Sequence, residues 1–349
     1  MLKYYFLGAN TSRGFYSLYD SFAAEKGDVL HIIKGCPGGG KSGFMRKIAE
    51  AAEAAGLSVS RLLCSGDPDS LDGIYIPALR QGWVDGTAPH ALEPRCFGVD
   101  SDYVDLSAFC TLPLSRESAE RVVKLSREYK AEYARAYAFL AAAAEHRQAA
   151  ALPLWDGDRL NSAKQRIQGI LRRSAAKRPS GKAKRESCFL SAVSCKGFVR
   201  LKEEISRSCP MIYELDNRYL GAWPLLEYAL ATAEEMGFGT VSLCDALKPE
   251  KTEGILLPEA GVALLAGDWG FEEARHMRLD NLAEESIGKE NRSLMRAAGR
   301  MYRGSMELAE ERLKAAKQLH DGLEREYGSA MDFDALTEFT DKEIRRLFG

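Results

Sequence analysis

Short apolar runs alternate with amphipathic stretches from the beginning of the chain. Val29 to Lys34 (VLHIIK) is long enough for a buried strand and too short for a helix. A glycine-rich turn follows, and then Ser42 to Ala55, whose Ala, Glu, Lys and Met content favours a helix. Gly56 stands where a helix ends in a left-handed residue. Val59 to Cys64 reads as a second strand and Gln81 to Val84 as a third. Strands alternating with helices predict parallel α/β topology. The pattern returns later as Met211 to Leu215, then Leu225 to Met236, then Thr240 to Cys244.

Two longer stretches have helical periodicity instead. Val122, Leu125, Tyr129, Tyr133, Tyr137 and Leu140 recur at three- and four-residue steps, one face of an amphipathic helix. Ile287, Leu294, Met301 and Leu308 recur every seven residues, and few helix breakers interrupt Glu284 to Tyr327. Coiled-coil arms and a packed helix bundle both account for this spacing.

Self-similarity organises the whole chain. FLGANTSRGF (Phe6 to Phe15) returns as FLSAVSCKGF (Phe189 to Phe198). Ala52, Glu53 and Gly56 return as Ala233, Glu234 and Gly237, Cys64 as Cys244, and DGIYIP (Asp72 to Pro77) as EGILLP (Glu253 to Pro258). Blocks in one order at nearly constant offset imply a duplicated domain. The expected fold is α/β: two parallel-sheet domains from an internal duplication, with long helical insertions and extensions. Their boundaries are read as 1–112 for the first domain, 113–185 for a helical segment and basic linker, 186–270 for the second domain and 271–349 for a further helical segment.

Composition narrows the class. Of 349 residues, 46% are hydrophobic and 28% charged, which excludes wholesale disorder. Forty-eight basic residues nearly balance 50 acidic ones, so overall charge makes no case for a nucleic-acid or membrane binder. No apolar run approaches the ~18–20 residues of a membrane span, and Met1 to Gly8 lacks the features of a secretory signal. Eight cysteines without a CxxC pair are read as free thiols in a reducing compartment, and the expected location is the cytoplasm. One segment departs from this balance: Arg159 to Arg185 holds ten Lys or Arg and no acid. A solvated, flexible linker is the simpler reading. The run is able to contact a phosphate backbone but lacks aromatics for base stacking, so nucleic acid is not the favoured partner.

The chemistry concentrates in Gly35-Cys36-Pro37-Gly38-Gly39-Gly40-Lys41-Ser42, which matches GxxxxGK(S/T) between an apolar strand and a helix. Glycines let such a loop curl so that backbone N–H groups point at phosphate oxygens. Lys41 is expected to reach the β- and γ-phosphates and Ser42 to ligate Mg²⁺, with the helix dipole directed at the same charge. Asp85, at the end of the third apolar run, is the candidate second metal-organising acid. Asp67, Asp69 and Asp72 form another acidic cluster, explained equally by turn chemistry. His90 is a candidate for orienting water or the γ-phosphate, although a loop histidine after proline is more often structural. His31 reads as core, and Arg13 and its repeat partner Lys196 read as surface cations rather than phosphate fingers.

The second copy departs from the first. With Gly221 opposite Gly40, the loop reads Asp216-Asn217-Arg218-Tyr219-Leu220-Gly221-Ala222-Trp223. Ala222 replaces the lysine, Trp223 replaces the serine, and Asp216 repels phosphate. One nucleotide per chain is therefore expected.

ANTSRGF, KGCPGGGKS, CSGDPDSLDGIYIP and VDGTAPH together resemble a poorly characterised bacterial family of duplicated P-loop ATPases. The resemblance covers both copies and most of the chain. It implies that Gly35 to Ser42 bind nucleotide and that Asp85 is the Walker-B acid. The expected function is a slow Mg²⁺-dependent ATPase that couples to helical movement or to a protein or small-molecule partner. A small-molecule or nucleotide kinase and a nucleotide-gated scaffold are the alternatives. Asp85 is followed by Gly86 rather than by glutamate, which argues against fast turnover.

Overall fold

The computed structural model describes residues 2–89, 91–149, 160–175, 184–281 and 289–349. The first half contributes β1 (Tyr4–Tyr5), the hairpin β2 (Gly8–Thr11) and β3 (Gly14–Ser17), β4 (Val29–Lys34), α1 (Lys41–Ala54), β5 (Ser60–Leu63), β6 (Leu71–Ile76), β7 (Gln81–Asp85) and β8 (Ser101–Asp105). Two helices follow, α2 (Arg116–Ala149) and α3 (Asn161–Ala175). The second half supplies β9 (Arg185–Cys188), the hairpin β10 (Ser191–Ser194) and β11 (Gly197–Arg200), α4 (Lys202–Ser208) and β12 (Met211–Leu215). It continues with α5 (Ala222–Glu235), β13 (Thr240–Cys244), β14 (Thr252–Leu257), β15 (Val262–Ala266) and β16 (Arg275–Met277). Two final helices are α6 (Lys289–Gly328) and α7 (Phe333–Phe348).

The strands form two six-stranded sheets, in the orders β1-β5-β6-β7-β4-β8 and β9-β13-β14-β15-β12-β16. Directions correspond strand for strand: β6 and β14 run antiparallel to both neighbours, and the remaining pairings are parallel. The expected all-parallel sheets are therefore corrected to mixed ones. The reason is local. β6 and β14 return directly through short turns, closed by Cys64 N–H to Ser70 O at 3.1 Å and Asp245 N–H to Lys251 O at 2.8 Å. A parallel return would have required a crossover helix.

Alternation within the strands sets the layers. Leu30, Ile32, Leu62 and Val84 pack against Ile212, Leu243, Leu256, Ala263 and Leu265, so the two sheets meet face to face. Ile33, Ile74, Ile76 and Trp83 point the other way, onto Phe44, Met45 and Ile48 of α1 and Leu336 of α7. The outer face of the second sheet is covered by α3 and α5 through Ile167, Ile170, Leu171, Leu225, Leu226 and Leu230. Being covered on both faces explains why these strands read as continuous apolar runs.

This packing also corrects the linker expected over residues 159–185. Asn161–Ala175 is a helix that buries Ala163, Ile167, Ile170 and Leu171 against the second sheet. Its basic residues occupy the remaining face, which is how a segment rich in Lys and Arg folds as an amphipathic helix. Residues 159 and 176–183 lie outside the described residues.

The helices α2 and α6 pair antiparallel along the molecule, with Arg121 bonded to Glu326 at one end and Leu140 packed near Met306 and Leu313 farther along. The seam is not the seven-residue stripe. Leu294, Met301 and Leu308 are 50%, 55% and 42% exposed, whereas Met295, Ala298, Met306, Ala309 and Leu313 are buried. A spacing of three and four residues with small alanines suits close helix contact, and that pattern is the one that packs. Ile287 lies outside the described residues.

Each hairpin crosses to the opposite half. Phe6 and Phe189 exchange two backbone hydrogen bonds, of 3.0 and 2.9 Å. Ser12 N–H donates to Leu247 O, and Cys195 N–H donates to Gly66 O. Arg13 pairs with Glu250, and Lys196 with Asp69. Both cations are thus engaged with carboxylates at hairpin tips, in keeping with surface cations.

Candidate functional site

Residues 35–40 join the end of β4 to the first turn of α1. Gly38 and Gly40 take φ of +68° and +81°, the left-handed region that favours glycine. Close approach is the second reason for glycine here. A Cβ on Gly38 would lie 2.6 Å from the Glu324 carbonyl oxygen of α6, and one on Gly40 would lie 2.6 Å from Leu336 Cδ2 of α7.

Lys41 is the first residue of α1, and its side chain is almost fully buried. Its ammonium donates to Gly35 O at 3.2 Å and Cys36 O at 2.9 Å. It also lies 3.7 Å from Asp85 Oδ2. Asp85 reaches it because β7 is parallel to β4 and places Asp85 beside Ile33. The Asp85 carboxylate is fixed in turn by Thr87, whose N–H and Oγ1–H both donate to Oδ1, at 2.8 and 2.6 Å. Ser42 Oγ accepts the Leu71 N–H at 3.0 Å, which ties the loop to β6.

These groups open onto one cavity of about 530 Å³. Gly35, Pro37 to Gly43, Asp72, Asp85 and Thr87 line one side, and Asn10 of the hairpin lines another. Asn10 is buried and makes three bonds: Nδ2 donates to Ser65 O and Val193 O, and Oδ1 accepts from the Tyr137 hydroxyl. Asp72 is buried and accepts the Tyr19 hydroxyl at 2.9 Å. Of the acidic cluster, Asp72 alone lines the cavity; Asp67 pairs with Lys317 at 3.4 Å and Asp69 with Lys196. His31 is core, stacked on Trp83 at 4.9 Å between ring centroids. His90 lies outside the described residues.

Four further lining residues come from the helical pair: Tyr129, Tyr133, His320 and Glu324. Burial pushes the Tyr129 hydroxyl up to about 12 and Tyr133 well above its ordinary value, so both stay neutral donors. Burial lowers the His320 imidazole, the charges of Lys317 and Lys41 act in the same direction, and Glu324 opposes them. His320 is therefore held toward the neutral form, 3.4 Å from Glu324. The tyrosines belong to a stripe that reads as ordinary packing. His320 and Glu324 have only their i,i+4 spacing to mark them.

The corresponding loop of the second half starts its helix at Ala222, as the first starts at Lys41. Ala222 and Trp223 are buried in the core, and Asn217 Oδ1 caps the helix by accepting the Ala222 N–H at 3.2 Å. No lysine or serine stands at these two positions. All eight cysteines are free thiols, and no helix among the described residues is long and apolar enough to cross a membrane. The chain matches no protein-family model, no curated protein and no solved structure.

Proposed function

We propose that the chain is a P-loop nucleotide-binding protein that takes one Mg·ATP in its first half and hydrolyses it slowly. One observation carries this reading: Lys41 and Ser42 begin a helix after a buried parallel strand, with Asp85 at the end of the adjacent parallel strand and 3.7 Å from Lys41. That is where a phosphate chain needs a cation, a hydroxyl and an acid. The shared strand order and crossed hairpins support an origin by duplication of one such domain. The free thiols are in keeping with a reducing compartment such as the cytoplasm.

Ser42, Asp85 and Asp72 present hard oxygen ligands to the same cavity, a donor set that suits Mg²⁺. When bound, that ion would supply charge neutralisation on the phosphates. The chain's own contribution is positional. Backbone N–H groups of residues 38 and 40–42 and the α1 dipole hold negative charge, and Lys41 neutralises it. His320 provides a neutral imidazole able to take a proton from water, and Glu324 orients its ring. Since both come from α6, the state of the nucleotide and the position of that helix are physically linked.

Phosphate release from Mg·ATP tests this. His320→Gln is expected to lower turnover by about 10²- to 10⁴-fold while ATP affinity stays within a few-fold. Unchanged turnover removes His320 from the mechanism. Label from the γ-phosphate appearing on a small molecule instead of in solution replaces hydrolysis by the kinase reading.

A further inference from the structure

The second half encloses a cavity of its own, about 790 Å³, between the loop at residues 217–220, the β10–β11 hairpin and α6. Its size falls within the ~300–1,000 Å³ of small-molecule sites. The lining is unusually rich in guanidinium groups: Arg147, Arg200, Arg218, Arg296, Arg300 and Arg303. Four carboxylates share it, Asp245, Glu253, Glu307 and Glu310.

The charges do not cancel. Asp245 is consumed by Arg147, which it accepts at 2.9 and 3.2 Å through both oxygens. Glu253 is buried, accepts the Ser191 hydroxyl, and is driven toward neutrality by that burial and by Asp245 beside it. Among the described residues no ion pair engages Arg200, Arg296, Arg300 or Arg303. Arg200 is pinned by its Nη1 bond to Asp268 O at 2.7 Å and by stacking on Trp269, with its guanidinium carbon 4.7 Å from the ring centroid. Its Nε–H is nevertheless a buried donor without a partner among the described residues. An oriented guanidinium that lines the cavity without an ion-pair partner is a ready seat for an oxyanion.

We propose that this cavity binds a compact polyanion, a small molecule with two or more phosphate or carboxylate groups, seated on Arg200 and closed over by Arg296, Arg300 and Arg303 of α6. The loop at 216–223 has no counterpart of Lys41, so the arginines are the cations that would hold the ligand. Planar guanidinium forks match phosphate and carboxylate oxygens two at a time. The inference is independent of nucleotide binding in the first half.

The test is calorimetric titration of the full chain with pyrophosphate, and separately with citrate, in EDTA and low salt. Lys41→Ala serves as the background, to remove polyanion binding at the first loop. We expect one polyanion per chain in that background, weakened at least tenfold by adding Arg296→Ala with Arg300→Ala. Both positions are exposed on α6, and alanine favours helix, so these changes spare the fold. Arg303→Gln alone should give a smaller loss in the same direction. Pyrophosphate binding in preference to citrate assigns a phosphorylated ligand, and the reverse a polycarboxylate. Absence of binding by both compounds in Lys41→Ala, or binding indifferent to the α6 arginines, overturns the proposal. Polyanion binding insensitive to Lys41→Ala but lost with the arginines supports it, and leaves the first-half site to the Mg·ATP titration.

Discussion

Substituting Gly38 by alanine probes how firmly α6 rests on the glycine-rich loop. Two costs are separable. At φ +68° an alanine sits in the left-handed region, which costs about 1–2 kcal/mol. The new Cβ would also lie 2.6 Å from the Glu324 carbonyl oxygen and 2.8 Å from its Cα. Ordinary contact is about 3.5–4.0 Å, so backbone must retreat by roughly 1 Å, and overpacking of this kind costs about 1–3 kcal/mol. The sum is about 2–5 kcal/mol. Gly56→Ala is the internal control: its φ is +77°, but a Cβ there meets nothing within 4 Å. It carries the backbone cost alone. The assay is denaturant unfolding of both variants with hydrogen exchange across residues 317–328. Gly38→Ala should be the less stable by about 1–3 kcal/mol, with faster exchange in that last part of α6. Equal stability of the two variants, with exchange in α6 unchanged, would refute the account of this contact.

Asn10→Ala removes a buried amide that joins Ser65, Val193 and Tyr137, leaving three polar groups without their partner. A loss of about 2–4 kcal/mol is expected by thermal or denaturant unfolding. Glu253→Gln addresses pH. The buried Glu253 carboxyl is raised from its ordinary value to about 7, so its contribution to stability is fully present at low pH and lost as pH rises through 7. The glutamine variant should therefore be more stable than the parent at pH 8, by on the order of 2 kcal/mol, and lose this advantage by pH 5; melting curves at the two pH values decide it.

The strand before the glycine-rich loop, the helix after it and the equivalents in the second half are all legible in the sequence, because apolar run length and glycine punctuation act locally. The direction of β6 and β14 is not. DGIYIP and EGILLP repeat visibly, but whether such a run pairs parallel or antiparallel depends on the turn before it. The basic stretch misleads through composition: its charge is conspicuous, while Ile167, Ile170 and Leu171 decide the structure by facing the core. The heptad stripe misleads in a similar way, since Leu294, Met301 and Leu308 lie on the exposed face and smaller residues make the seam. At the site, Gly35 to Ser42 and Asp85 stand together as their spacing suggests. His320 and Glu324 arrive from more than 230 residues away along the chain, and only tertiary packing brings them there.

The central claim is a single Mg·ATP site built on Lys41. Calorimetric titration of the intact chain with Mg·ATP, beside Lys41→Ala, tests it most directly. The account predicts a stoichiometry near one, with affinity reduced about 10- to 100-fold or more in the variant, as loss of a charge-assisted phosphate contact requires. Two equivalent sites per chain, or an affinity unmoved by Lys41→Ala, would contradict it.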